Sequence, residues 1–427
     1  MPKIRPFKGI RYNPERVKME NVICPPYDVI TPEKSDELHS KDPYNAIRLI
    51  LGKQHPRDSK TNNRYTRARD LWIRWQKEGI LIKDPSPSIY YHEHSYTIGE
   101  RAYTRSGIVV TVRLSEGEEK DILPHENTYK GPKLDRLRLL TEVKANLSSI
   151  FGIYSDPSRM ATSQVKPNLE KPQMDFSISG ESHRLWVIDS PEIIDMVSSM
   201  VIDKTILIAD GHHRYETAKT YRDRMRAVTG KKDGLQPFDY VMMYLANIDE
   251  ELSIMPTHRV IVDSMGIGLV DFEYRIKELF NMIPYDNKTT FLNMLKKGGK
   301  GHFGLLVSGI PRYYLLKPID ENAIDKFIPQ SIHPLLRKLD VTILHECIIE
   351  PILGIDNLIS QGRIMYTSLA EEAINMVEKG KADAAFLVNP SSIQEIIEVA
   401  KQGLKMPHKS TYFYPKIPTG LVFNPLE

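Results

Sequence analysis

Residues 204–224 read KTILIADGHHRYETAKTYRDR, and this stretch decides the reading of the chain. The run TILIAD predicts a strand, because branched apolar residues suit a buried, pleated surface. It ends at Asp210. Gly211 follows at once and lets the backbone turn sharply or approach a ligand closely. His212, His213 and Arg214 come next, and RYETAKTYRDRMRAV then reads as a helix. Residues 212–215 therefore fall at a helix start, whose unpaired N–H groups attract phosphate. Arg214 adds a forked donor matched to phosphate oxygens. The two histidines add donors that can be charged or neutral. Asp210 is suited to hold a magnesium ion or to take a proton. A capping aspartate and a turn glycine explain Asp210 and Gly211, but leave three basic side chains clustered on one exposed turn. Zinc fits this turn less well: adjacent histidines face different ways, and no third ligand is near in sequence. A helix end holds an anion with about 0.3–2 kcal/mol. Enzymes lower barriers by roughly 8 kcal/mol or more. Metal, cationic side chains and a positioned base must supply the remainder.

A second element, LPHENTYKGPKLDRLRLL at 123–140, places His125, Glu126, Thr128, Lys130, Asp135 and Arg136 around a turn and a helix start. Glu126 is the candidate general base, and Lys130 and Arg136 suit donor phosphates. Taken alone, Glu126 reads better as a capping or solvent-facing residue and Lys130 as a loop charge; beside the proposed phosphate site the two readings are even. In MPTHRVI at 255–261, Thr257, His258 and Arg259 follow a proline, and the arginine fork fits a phosphate or a carboxylate. Other features read as architecture. KKGGKG at 296–301 lacks the spacing of a phosphate loop and suits a helix end. His92 and His94 share a strand face and read as surface. His345 and Cys347 read as helix packing, Trp72 and Trp75 as core. Tyr412, Phe413 and Tyr414 beside Lys409 and Lys416 read as a terminal strand docking on the body.

The whole chain has 427 residues, with 58 Lys plus Arg against 55 Asp plus Glu, a net charge of +3. That balance excludes a polybasic nucleic-acid coat and an acidic solvating tail, and leaves room for a local basic pocket. No apolar run reaches the ~18 residues of a membrane span, and MPKIRPFKGIRYNP carries no signal-peptide stretch. Cys24 and Cys347 cannot build a disulfide framework. The expectation is a cytoplasmic protein. Strand and helix signals alternate to the end, giving an α+β (mixed α/β) class. Helices are expected at 65–77, 132–147, 191–201 and 214–228, and in the C-terminal third within EYRIKELFNMI, VTILHECIIEPIL, LAEEAINMVEKG and SSIQEIIEVAKQG. The polar stretch 163–182 reads as a linker. Three segments are expected: 1–160 carrying the PHENT loop, 180–265 carrying the DGHHR turn, and 266–427.

The strand–DGHHR–helix element resembles the signature of the ParB/sulfiredoxin-like superfamily, and within it the free serine kinases. RPFKGIRYNP, CPPYDVI, DPYNAIRL, LPHENTYKGPKLDRLRLL, ANLSSIFGIYSD, ADGHHRYETA, MPTHRVI and MPHKSTYFYPKIPTGLVF resemble the prokaryotic domain of unknown function 1015 family over nearly the whole length. The resemblance implies a ParB/sulfiredoxin-like phosphate-binding core with additional α/β segments. It implies a kinase that moves a phosphoryl group from pyrophosphate, ATP or ADP to the hydroxyl of free L-serine, with Mg2+ as cofactor. On that reading Glu126, Asp210, His212 and His213 are catalytic, and Asp210 also holds the metal. Gly211, Arg214, Lys130, Arg136 and Thr128 hold the donor, while His125, Asn146, Ser148, Thr257, His258 and Arg259 hold the substrate. The alternatives are a ParB-like nucleotide-dependent DNA-binding regulator, or a phosphotransferase or phosphatase for another metabolite. No basic recognition helix is evident, so the expected partners are L-serine and a phosphate donor, with neither membrane nor nucleic acid.

Overall fold

The computed structural model describes residues 2–117, 119–166, 170–262, 268–353 and 362–427. It divides into two compact units, Met1–Leu252 with Pro415–Glu427, and Ser253–Tyr414. The three expected segments are not the units found. Residues on both sides of 160–180 share one sheet: His94 pairs with His183, and Val109 with Tyr244. Strand hydrogen bonding thus fuses the first expected segment with most of the second, and the chain returns to this unit after 414. Helices and strands mix in both units, so the α+β class holds.

The first unit is built on a nine-stranded sheet. Its strands are β1 (Ile4–Arg5), β2 (Ile89–Ile98), β3 (Arg101–Arg113), β4 (Ile122–Leu123), β5 (Ile150–Tyr154), β6 (Met174–Ile178), β7 (Glu181–Ile188), β8 (Ile206–Asp210) and β9 (Tyr240–Asn247). The order is β4-β8-β5-β9-β3-β2-β7-β6, with β1 on β3. β8 runs parallel to β4 and β9 parallel to β5, and the remaining pairs are antiparallel. The expected linker at 163–182 contains β6, hydrogen-bonded to β7. The central strands read as apolar runs because the sheet is buried there on both faces. Ile108, Val110, Ile150, Ile206, Ile208, Met243 and Leu245 share one core.

The Arg64–Lys77 helix starts at Asn63, whose side chain accepts from the N–H groups of Tyr65 and Thr66 in a capping box. Trp72 and Trp75 are buried, as expected. The Trp72 ring meets Phe423 edge-on at 5.5 Å, which fastens the returning C-terminal segment. The Lys130–Val143 helix buries Leu137, Leu140 and Val143 but exposes Leu134. Leu137 and Leu140 pack with Tyr221 of the His212–Thr229 helix. His92 and His94 are buried, not surface residues.

The second unit carries a six-stranded sheet. The expected helix EYRIKELFNMI is divided: a helix covers Leu269–Ile276, and Phe280–Tyr285 is an edge strand paired with Tyr313–Pro318. An edge tolerates Pro284, which lacks a ladder donor. KKGGKG is the end of the Lys288–Gly298 helix, as expected. Cys347 is buried, and burial pushes its thiol up to about 12, so it supplies no thiolate. Among the described residues no helix is long and apolar enough to cross a membrane.

Close packing marks one glycine for a stability test. A Cβ on Gly107 would lie 2.2 Å from the buried Tyr244 ring, whereas one on Gly131 in the Lys130–Val143 helix meets nothing within 4 Å. Gly107→Ala is expected to lose roughly 1–3 kcal/mol. Gly131→Ala is expected to gain up to about 1 kcal/mol, the usual helix difference between alanine and glycine. Urea unfolding of the two variants checks the opposite signs.

Candidate active site

The site begins where β8 ends. The pairing of β8 with β5 slips between Ile208 and Asp210, and such an irregularity re-aims the next side chain. Gly211 then turns at φ +92°, in the left-handed region that favours glycine. Tyr215 N–H donates to the Gly211 carbonyl at 3.0 Å, and a helix start leaves its leading N–H groups without intrahelical partners. Arg214 reaches back, and its Nη2 donates to Asp210 Oδ2 at 2.5 Å. Its Nη1 donates to the Ser149 carbonyl. Lys416 Nζ donates to Asp210 Oδ1. One carboxylate is therefore clasped by two cations, each side chain almost out of solvent. Burial alone would raise the Asp210 pKa. The charges of Lys416 and Arg214 outweigh it and hold the group below the ordinary carboxylate value.

The PHENT loop is pinned to this corner through the two histidines. His125 N–H donates to His212 Nε2 at 3.2 Å, and Tyr129 N–H donates to His213 Nε2 at 3.0 Å. Each Nε2 is thus an acceptor, so the proton of each neutral ring is on Nδ1. His212 Nδ1 lies 3.2 Å from Glu126 Oε2, and His125 Nε2 lies 4.0 Å from Glu126 Oε1. Burial pushes Glu126 up, but His212, His125 and Lys416 pull it well below the usual carboxylate range. His212 is buried rather than on an exposed turn. Burial lowers the His213 pKa, and His212 lowers it further.

A third acid stands nearby. Asp28, on the Tyr27–Val29 turn, feels the charges of Asp210, Arg214 and Lys416. Burial and then Asp210 push its pKa up, against the two cations. Arg136 lies over the Tyr27 ring at 4.1 Å and is otherwise taken up by Asp135 and the Ile50 carbonyl. Tyr27, Arg136, Asn146, Ser148 and Arg214 line a cavity of about 60 Å³.

The remaining expected residues have varied placements. Asn146 Oδ1 accepts from Met242 N–H and from Asn424 Nδ2, each at 3.0 Å, so it ties the C-terminal segment to the sheet. Ser148 and Thr419 share a hydroxyl contact at 2.8 Å. Thr128 is half-buried in the loop, and Lys130 is exposed at the first position of its helix. Thr257, His258 and Arg259 belong to the second unit and are buried in it. There His258 Nδ1 accepts from Val388 N–H at 3.2 Å, and Arg259 donates to the carbonyls of Thr257 and Lys409. Burial lowers His258 to about 4 and Arg259 to about 10. Sequence reasoning missed Asp28, Tyr27, Ser149 and Lys416 as site residues. CPPYDVI and FYPKIPTG contain three of them, without the spacing of any phosphate or metal motif.

The family model described as Protein of unknown function (DUF1015) matches residues 4–342. No curated protein matches. Among solved structures, a free serine kinase in complex with AMP is 14% identical, with a TM-score of 0.35, over 74% of this chain and 92% of its own. A variant of a free serine kinase in complex with ADP is 14% identical, with a TM-score of 0.36, over the same shares. A conserved hypothetical protein from Pyrococcus furiosus is 15% identical, with a TM-score of 0.35, over 73% of this chain and 93% of its own.

Removing one cation from the clasp has a definite sign. Lys416→Met leaves the buried Asp210 charge to Arg214 alone, and a broken buried pair costs on the order of 3 kcal/mol. Asp210→Asn combined with Lys416→Met is expected to lose more in thermal or urea unfolding, because it leaves the buried Arg214 without the clasped carboxylate. The Asp210 pKa is lowered in the fold. Its stabilisation is therefore complete above the unfolded value near ~3.9 and is lost as pH falls through the folded value. The wild-type protein should show this acid loss, and the double variant should lack it.

Proposed function

We propose that this chain, which belongs to the DUF1015 family, is a magnesium-dependent small-molecule kinase. It moves a phosphoryl group from pyrophosphate or a nucleotide, ATP or ADP, to the hydroxyl of free L-serine and yields O-phospho-L-serine. The observation that carries this reading is a helix start and two cations, Arg214 and Lys416, facing carboxylates whose environments push them apart: Asp28 upward, Glu126 and Asp210 downward. Such divergence separates the acid–base group from the permanently charged ones.

The helix start and Arg214 suit the donor phosphates. The carboxylate oxygens of Asp210 and Glu126 are hard donors of the kind magnesium takes. The ion would neutralise charge on the transferring group. Lys416 already occupies Asp210 Oδ1. A magnesium ion held by Asp210 would take the place of the Lys416 ammonium at that oxygen. His212 and His213 hold the PHENT loop through their Nε2 atoms and so position Glu126.

Glu126 is held ionised at low pKa, which makes it a weak base. Asp28, with its raised pKa, is the better acceptor for the serine hydroxyl proton. In the transfer the serine Oγ gives its proton to Asp28 and forms a bond to the terminal phosphorus. The bond from that phosphorus to the bridging oxygen breaks, and phosphate, ADP or AMP leaves according to the donor. The cavity beside Tyr27, Arg136 and Arg214 suits the substrate's own small polar groups.

Purified protein incubated with L-serine, magnesium and each donor in turn should release O-phosphoserine, detected by mass spectrometry. No product with any donor removes the serine reading. Asp28→Asn is expected to lower kcat by about 10²–10⁴-fold with a smaller change in KM. A base works only when deprotonated. Activity should therefore rise with pH through a midpoint above the ordinary aspartate value near ~3.9, and Asp28→Asn should abolish that limb. If Glu126→Gln abolishes it instead, the base is Glu126.

A further inference from the structure

A row of side chains crosses the first unit's sheet on one face. Arg105 of β3 is opposite His94 of β2, His94 is opposite His183 of β7, and His183 is opposite Phe176 of β6. Strand alternation adds His92 and Glu181, each two residues along, to the same face. The β6–β7 hairpin turns at Ser179 and Gly180, both at positive φ, so Glu181 stands at the start of its strand. His94 Nε2 lies 2.7 Å from Glu181 Oε2. The His94 and His183 rings lie 4.0 Å apart. One ligand atom from each of His94, Glu181 and His183 falls within 4.8 Å of the others.

Three features separate this cluster from ordinary core packing. His92, His94 and His183 are each no more than 1% exposed. Ligand atoms of His94, Glu181 and His183 converge within 4.8 Å of one another, a spacing that a single ion can bridge. His183 Nε2 has no hydrogen-bond partner among the described residues, although it is buried. Leaving a buried nitrogen without a partner is costly. Meanwhile His183 Nδ1 lies 3.2 Å from His92 Nε2. If His183 donates there, its Nε2 is left with a lone pair, the tautomer a metal ligand needs, and His92 orients the ring from behind.

We propose that His94, His183 and Glu181 form a binding site for a divalent transition metal of the zinc class, distinct from the Asp210 corner. Two imidazoles and one carboxylate are a zinc donor set that leaves a fourth position for water. Zinc–ligand distances of about 2.0–2.2 Å require the three side chains to draw together slightly. Glu181, the partly exposed member, gives the ion its way in. Arg105 Nη2 lies 3.4 Å from His94 Nδ1 and opposes a cation there. Its guanidinium is also anchored to the Pro415 carbonyl and lies over the Phe151 and Tyr244 rings. The site therefore takes its metal reversibly rather than as a permanent staple of the fold.

The test uses the full chain, cleared of metal with a chelator and titrated with Zn2+, and with Co2+ as a spectroscopic probe. One zinc per chain and the visible bands of four-coordinate cobalt are expected. His183→Gln and Glu181→Gln should each weaken binding by 10-fold or more and remove the bands. Circular dichroism confirms that each variant folds, and the partly exposed Glu181 serves if His183→Gln does not. His212→Gln should leave binding unchanged. Absence of stoichiometric binding, or unchanged binding in Glu181→Gln, overturns the proposal, as does a loss that follows His212→Gln instead.

Discussion

Everything at the proposed catalytic corner depends on how a buried Asp210 carboxylate is kept charged. An isolated carboxylate in such a place would take up a proton, because low dielectric penalises the ionised form. Arg214 and Lys416 prevent that, one per oxygen. Arg214 comes from the first turn of the helix that Asp210 precedes, so half of the clasp is local. Lys416 comes from 206 residues further along the chain. The Arg214 fork also grips the Ser149 carbonyl, which fixes the loop leading into β5. One ion cluster thus sets the strand end, the helix start, a loop and the returning C-terminal segment at once.

The same cluster sorts the neighbouring acids. Glu126 sees two histidines and Lys416 and stays ionised. Asp28 sees Asp210 as well as the cations, and the like charge with burial pushes its proton affinity up. The sequence offers Glu126 as the candidate base, on the ground that a carboxylate suits that role when its surroundings tune it. The surroundings tune Glu126 downward and Asp28 upward. The histidines of the DGHHR turn act as brackets that accept backbone N–H groups from the PHENT loop, rather than as cationic phosphate donors.

The local part of this architecture is legible from residue order. The strand, the glycine at positive φ and the helix at residues 206–229 follow from period, turn chemistry and charge placement. The Arg64–Lys77 helix is equally legible, because Asn63 caps it and its tryptophans share one side. What is not legible depends on distant pairing. Alternation puts His92 and His94 on one face of a strand but does not say whether that face is covered, and the answer comes from β7, some ninety residues away. Lys416 reads as one more charge beside aromatic residues until Asp210 is found against it. The run from Leu279 to Ile283 is apolar enough for helix or strand, and only its ladder with Tyr313–Pro318 decides. The three-segment division fails for the same reason: sheet neighbours are not chain neighbours.

The chain order of the first unit has a consequence for biosynthesis. Its sheet strands are all made by residue 247, but Pro415–Glu427 emerges only after the intervening unit has been translated. That intervening unit has its own sheet, and its two ends are stitched together, Ser253–Met255 against Tyr412–Tyr414. The nascent first unit must therefore wait on the ribosome with Asp210 lacking one of its cations and Trp72 lacking Phe423. The corner around Asp210 becomes electrically complete only after the whole second unit has been made.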